Sequence, residues 1–182
     1  MSMKQIIYSS AIACIAIVSI LLFNNKIVSA NSNVHIFNDT IDSSTTLKSS
    51  IASVQMYYYI KKYANEYEIP ESYAFGIAYQ ETKYQGPLHF KYNPALTSYA
   101  GAVGPMQIMP STANGLCKRT VNVQRLKTDI EFNVMLSMKL LRRLHDRYNN
   151  WGLVFGAYNT GRPCVNQYAL NVLNKNFLWI TN

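Results

Sequence analysis

Two features of this chain have residue types and a spacing that can do chemistry. One is a single carboxylate, Glu81; the other is the segment Gly101-Ala-Val-Gly-Pro-Met-Gln-Ile-Met-Pro-Ser-Thr-Ala113 that follows it. From Pro70 to Lys83 the chain reads Pro-Glu-Ser-Tyr-Ala-Phe-Gly-Ile-Ala-Tyr-Gln-Glu-Thr-Lys, so Ala74, Ile77, Ala78 and Glu81 share one face of a helix. The acid therefore points to the core side. A carboxylate there is paired, protonated or catalytic, because burial raises its pKa and makes it a proton donor near neutral pH. The alternative is a structural hydrogen bond.

The other candidates supply hydrogen bonds and close approach. Gly101 and Gly104 let the backbone turn tightly beside a ligand, and Gln107 both donates and accepts. For Met106 and Met109, core packing is as natural as ligand contact. Tyr158 and Tyr168 each offer a ring to pack and a hydroxyl to orient an acid or a ligand, and Asn159 offers an amide. Glu66, Glu68 and Glu71 crowd a turn and a helix entrance, while Asp129 and Glu131 open a later helix, where capping is the natural role. No second carboxylate is nominated as a partner for Glu81.

The elements that position these groups read as helices. An aromatic-rich helix is expected from about Ile51 to Tyr67, ended by Ile69-Pro70, and Pro70 opens the helix carrying Glu81. Residues 85–105 are a loop, broken by Gly86-Pro87, Asn93-Pro94 and Gly104-Pro105. A short helix from Ser111 to Gly115, capped by Ser111 or Thr112, follows. Asp129 to Arg147 gives the clearest pattern, with Ile130, Val134, Leu136, Leu141 and Leu144 in an apolar band and Lys139, Arg142, Arg143 and Arg147 opposite. Trp151–Tyr158, with Trp151 as a core anchor, and Val165–Leu173 complete the set. No alternating strand pattern or repeat is present, so the fold class is mainly α.

The chain has 182 residues, 49% of them apolar, which suits one core. Residues 1–30 read as an export signal: Lys4 precedes an apolar run over residues 6–23, and Val28-Ser29-Ala30 suits cleavage. Retention of that run as a membrane anchor is the alternative, and lipidation at Cys14 is a third reading. Residues 31–49, rich in Ser, Thr, Asn and Asp, form a flexible lead or linker, and residues 50–182 form the domain. Net charge is +8, or +6 once Lys4 and Lys26 leave with the signal. Such a surface favours polyanions; nucleic acid fits charge alone, whereas an exported protein meets anionic wall polymer or headgroups. Without Cys14, Cys117 and Cys164 are an even pair bound for an oxidising compartment and are expected to be bridged, with two separate thiols as the alternative. His35, His89 and His145 lack ligand-spaced neighbours, so no metal is expected.

Three motifs in order carry a resemblance: Tyr79-Gln80-Glu81-Thr82, the Gly101–Ala113 segment, and Gly156-Ala-Tyr-Asn-Thr-Gly161. Over roughly residues 55–175 the chain resembles the soluble, lysozyme-like lytic transglycosylases, a family related in fold to goose-type lysozyme. The resemblance implies a lysozyme-like helical domain with a cleft for peptidoglycan glycan strands. It implies cleavage of the β-1,4 bond between N-acetylmuramic acid and N-acetylglucosamine with 1,6-anhydromuramoyl ends, Glu81 acting as acid and then base, and no cofactor. It places Thr82, Met106, Gln107, Tyr158, Asn159 and Tyr168 at the substrate. It further implies a periplasmic or extracellular location, or an inner-membrane anchor facing the periplasm, and a role in opening passage for an envelope-spanning secretion machine. A hydrolytic muramidase and a non-catalytic wall-binding protein are the alternatives. Thr82 where serine is usual, Pro105 for the frequent leucine, and Thr160 for alanine are departures.

Overall fold

The computed structural model describes residues 50–175. The expected export signal, the linker over 31–49, Cys14 and residues 176–182 lie outside them. Seven helices occur among the described residues: α1 (Ala52–Glu66), α2 (Glu71–Thr82), α3 (Pro110–Cys117), α4 (Val123–Thr128), α5 (Ile130–Tyr148), α6 (Trp151–Thr160) and α7 (Gln167–Leu173). Only isolated β-bridges interrupt the helical pattern, joining Thr97 to Val103 and Val103 to Ile108. None of these helices is long and apolar enough to cross a membrane.

Helix α5 is the spine, packing against α1 on one side and α6 on another, while α2 lies on α7 and α1. Its buried face carries Ile130, Val134, Leu136, Met138 and Leu141, together with two polar residues, Asn133 and Ser137. Asp129 caps it by accepting from Phe132 N, as expected of an acid at that position. Glu131 instead reaches α1, accepting from Tyr63 Oη at 2.9 Å and Lys62 Nζ at 3.1 Å.

Helix α2 ends abruptly one residue after Glu81. Lys83 adopts φ 57°, and the amides of Lys83 and Tyr84 turn back to the carbonyls of Tyr79 and Ala78. The chain is then pinned to α1 through Ser53, whose Oγ donates to Pro87 O at 2.8 Å and whose carbonyl accepts from the buried Tyr84 hydroxyl at 2.7 Å. Tyr84 packs beside Phe75 and Tyr92, so the first half of the loop is anchored by an aromatic cluster. Trp151 stacks on Phe155 and His145, which bears out its reading as an anchor.

Two boundaries differ from expectation. Helix α3 starts at Pro110 with Met109 as N-cap and no side-chain cap, so neither Ser111 nor Thr112 serves. Proline at the first position removes one amide that would otherwise need a partner. Helix α4 was not expected; it is short, and Asn122 caps it by accepting from Arg125 N. The expected Cys117–Cys164 bridge is absent, and both are free thiols. Cys117 packs against the apolar cluster of Leu116, Leu126 and Leu136, whereas Cys164 is exposed on the turn after α6.

Candidate active site

Glu81 occupies the last turn of α2, where apolar neighbours at Ala74, Ile77 and Ala78 bury the face that carries it. Tyr168 on α7 donates its hydroxyl to Glu81 Oε1 at 2.6 Å. Loss of solvation pushes the Glu81 carboxyl up to about 7, against the smaller opposing effects of the Tyr168 bond and the Lys83 charge. No other carboxylate among the described residues acts on it. The carbonyl end of the helix, just beyond, also disfavours a negative charge there. Burial and the nearby acid raise the Tyr168 hydroxyl well above its ordinary value, so it stays a donor. Near neutral pH both protonation states of this acid are therefore accessible, and one phenol holds it.

The opposite side of the site is the Gly101–Met109 loop, and it is held by polar side chains reaching from helices. Asn133, fully buried on α5, accepts from Met106 N at 3.0 Å and donates to Val103 O at 3.0 Å and Leu126 O at 2.9 Å. Tyr158 on α6 donates to the Met106 carbonyl at 2.8 Å. The Met106 residue is thus gripped at its amide by Asn133 and at its carbonyl by Tyr158. Gly104 makes this grip possible: it has φ 81°, and a Cβ there would strike Asn133 Nδ2 and come within 2.7 Å of Leu126 O. Gln107 follows in the left-handed region at φ 50°, its Nε2 donating to Gly104 O at 2.8 Å.

Thr82 joins the two sides. Its Oγ1 lies 2.8 Å from Tyr92 Oη, 2.9 Å from Pro105 O and 3.2 Å from Ala78 O. With one proton available, the consistent assignment is Tyr92 donating to Thr82 and Thr82 donating onward to a carbonyl. Buried and so engaged, Thr82 ties α2 to the loop. Pro105 fits this arrangement because its carbonyl is used while its missing amide is not needed.

Glu81 and Tyr168 are thus in direct contact, and the Tyr158 hydroxyl is raised by burial and by the charge of Glu81. Met106 is buried and takes part through its backbone; Gln107 is half-buried beside it. Asn159 is exposed at the end of α6 and accepts from Asn166 Nδ2 at 3.2 Å. No hydrogen bond among the described residues links Glu81 to Gln107 or Asn159. Among the same residues, no three His, Cys, Asp or Glu side chains gather as metal ligands.

The sequence reading missed Asn133. Its signal was available: Asn133 and Ser137 stand four apart inside the apolar band of α5, where an amide must find partners. Gly156 is a second such case, since a Cβ there would collide with the Cys164 carbonyl of the turn leading to α7. A glycine at that point of α6 lets the turn that delivers Tyr168 pack closely.

The chain is similar to known proteins. The Transglycosylase SLT domain model matches residues 58–178. The soluble lytic murein transglycosylase of Escherichia coli strain K12 is 34% identical over 116 residues, covering 61% of this chain and 17% of that protein. A solved complex of the 70-kDa soluble lytic transglycosylase with bulgecin A is 31% identical, with a TM-score of 0.50 over 63% of this chain and 18% of that one. The chain thus spans less than a fifth of the length of these relatives. The family match covers well over half of the chain and includes Glu81, the Met106 loop and Tyr168, and on that ground the chain belongs to the transglycosylase SLT domain family.

Proposed function

We propose that this protein is a peptidoglycan lytic transglycosylase that cleaves the β-1,4 bond between N-acetylmuramic acid and N-acetylglucosamine. The observation that carries the reading is Glu81: its carboxyl is raised to about 7, held by Tyr168, with no second acid among the described residues acting on it. Protonated Glu81 gives its proton to the glycosidic oxygen as the C1–O bond breaks, and the sugar's own acetamido group stabilises the cation. Glu81, now a carboxylate, removes the proton from the muramoyl C6 hydroxyl as O6 closes on C1. The acid is restored, a 1,6-anhydro ring is formed and no water is consumed.

A single group serving as acid and then base suits a pKa near the working pH, because each protonation state is then well populated. A second fixed carboxylate, which a two-acid glycosidase needs, is not part of this scheme. Gln107 and Asn159 are assigned to sugar hydroxyl and acetamido groups. Thr82, Met106 and Tyr158 are assigned to holding the loop that presents Gln107. The N-terminal segment supports export to the periplasm or beyond, with anchoring as the other outcome, and assistance to a secretion machine is the cellular role proposed.

Digestion of purified peptidoglycan by the chain and by Glu81→Gln, followed by mass spectrometry of the released sugars, tests the reading. Products one water lighter than hydrolytic products, absent with the variant, are expected. Reducing muramoyl ends would instead assign a muramidase, and binding without release by a folded protein would assign a wall-binding role.

A further inference from the structure

Helix α5 has a side that the site does not use. Lys139 and Arg143 stand one turn apart on it, both exposed, and Arg147 continues the row. The end of α3 meets this row: Lys139 Nζ donates to the Leu116 carbonyl at 3.4 Å, and the exposed Lys118 and Arg119 follow directly after α3. Lys118 takes φ 52° and the Arg119 amide turns back to Asn114 O at 3.3 Å, so a turn of fixed shape presents both. From Asn133, which clamps the Met106 loop, Lys139 stands roughly 120° round the helix.

The charge of this face is uncompensated. Ion pairs among the described residues use Lys61, Lys62, Arg125 and Arg142, and none of them reaches Lys118, Arg119, Lys139, Arg143 or Arg147. From Pro110 to Thr128 the chain has no acid, and Asp146 on α5 is taken by Arg142. The helix dipole accounts for Arg147, in the last turn of α5, but Lys139 and Arg143 lie before that turn. Like charges gathered on one face repel, and a facing layer of anions relieves that repulsion. From Lys139 to Arg147 the row is about 12 Å long, and the turn after α3 widens it, a spread that meets many headgroups at once rather than enclosing one anion. The apolar run over residues 6–23, read as an export signal or an anchor, brings the chain to such headgroups in either case.

We propose that the face formed by Lys118, Arg119, Lys139 and Arg143 docks on a membrane surface rich in anionic phospholipid headgroups, while the side of α5 that serves the site stays uncovered. This docking goes beyond the transglycosylase reading and does not depend on it, since turnover tests the one and lipid binding the other.

The test measures partition of the full chain, at limiting lipid, onto vesicles of phosphatidylcholine alone and of phosphatidylcholine with an equal part of phosphatidylglycerol. Tighter binding to the anionic vesicles, weakening as salt rises, is expected. Lys139→Gln combined with Arg143→Gln should lower the ratio of the two partition constants about twentyfold, from roughly fivefold for each basic residue at such a surface. Lys139→Glu with Arg143→Glu should lower it further. These positions are exposed, and thermal denaturation checks that the variants fold. Lys91→Gln with Arg162→Gln removes the same charge from exposed positions off this face and should change the ratio much less. An equal loss in that control pair, or no preference for anionic vesicles, overturns the docking face. Every variant keeps the apolar run, so acylation of lysines by a water-soluble reagent separates docking of this face from attachment by the run. On anionic vesicles Lys118 and Lys139 should be protected and Lys91 should not; Lys118 and Lys139 as reactive as Lys91 on the bound chain would overturn the proposal. Binding to soluble polyphosphate that depends on Lys139 and Arg143, with none to vesicles, would assign the face to a soluble polyanion and overturn it equally.

Discussion

The helical side of the site, α2 with α6 and α7, is held by apolar packing, whereas the loop side, Gly101 to Met109, is held by polar side chains that helices send into it. On the first side Ala74, Ile77 and Ala78 are fully buried, and among the described residues the acid takes a hydrogen bond from Tyr168. On the second, Asn133, Tyr158 and Thr82 fix the Met106 amide and the carbonyls of Val103, Pro105 and Met106 in a segment that holds only isolated β-bridges. Packing tolerates a change of shape poorly but does not care about one missing proton. A hydrogen-bonded loop responds in the opposite way, since a lost partner strands a buried group at a cost of about 1–3 kcal/mol. Burial thus tunes the acid, and polar clamps position the loop facing it.

The largest effect expected on either side is that of Glu81→Gln. Removing both the proton donor and the later base should lower the rate on peptidoglycan at least a thousandfold, the scale of general acid–base contributions acting in two steps. The same variant should stabilise the fold above neutral pH. Glu81 has a folded pKa of about 7 against an ordinary value of 4.5, so the folded state holds its proton longer than the unfolded chain does. Stability is therefore full below pH 4.5 and declines as pH rises through 7, by about 3 kcal/mol at most. Urea denaturation at pH 5 and pH 8.5 should show a gain for the glutamine variant that is far larger at the higher pH. A gain of equal size at both would mean that burial does not tune the acid, and the contrast between the two sides would fail.

The loop side breaks differently. Asn133→Ala removes one acceptor and two donors, leaving the Met106 amide and the carbonyls of Val103 and Leu126 without those bonds. A destabilisation of about 2–4 kcal/mol is expected, together with a loss of activity. Asn133→Asp keeps the acceptor toward Met106 but offers two carbonyls a charged oxygen, and it should be at least as damaging. If aspartate were tolerated while alanine was not, the bond to Met106 alone would account for the clamp. Thermal denaturation of both variants reads this directly.

What could be read from the sequence divides along the same line. Helices α1, α2, α5 and α6 were legible because a buried face leaves a periodic trace, and Glu81 stood out as the one charge on such a face. Asn133 and Ser137 were overlooked because an apolar band dominates the eye, although a polar pair within it carried information. The inward turn of Thr82 was not legible, since its partners Tyr92 and Pro105 are ten and 23 residues away in a loop without period. Helix α4 is too short to show a repeat. The two free cysteines show that an even count in an exported chain predicts a bridge only when the fold brings the sulfurs together.

Thr82 tests the seam between the two sides with a smaller effect. Thr82→Val keeps the shape and deletes the hydroxyl, leaving the Tyr92 hydroxyl and the Pro105 carbonyl without their shared partner; about 1–2 kcal/mol should be lost. Thr82→Ser keeps the hydroxyl and should cost less than valine does. A larger loss in serine than in valine would show that the methyl group, hence packing, is what matters at this position, and the seam would then belong to the helical side.

The smallest change expected is also the most diagnostic of how the acid is tuned. The Tyr168 hydroxyl lowers the Glu81 pKa, working against the larger upward push of desolvation, so Tyr168→Phe should raise it. The chemistry begins with protonated Glu81, and kcat/KM should fall as pH rises through its pKa in the free protein. In the phenylalanine variant that fall should move to higher pH, and the relative activity of the variant should therefore improve between neutral and alkaline pH. A role limited to holding the carboxyl in place predicts something else: a loss of the same factor at every pH, with the limb unmoved. A shift of the limb to lower pH would contradict both, because it would require the tyrosine to favour the protonated acid over the carboxylate it is positioned to serve.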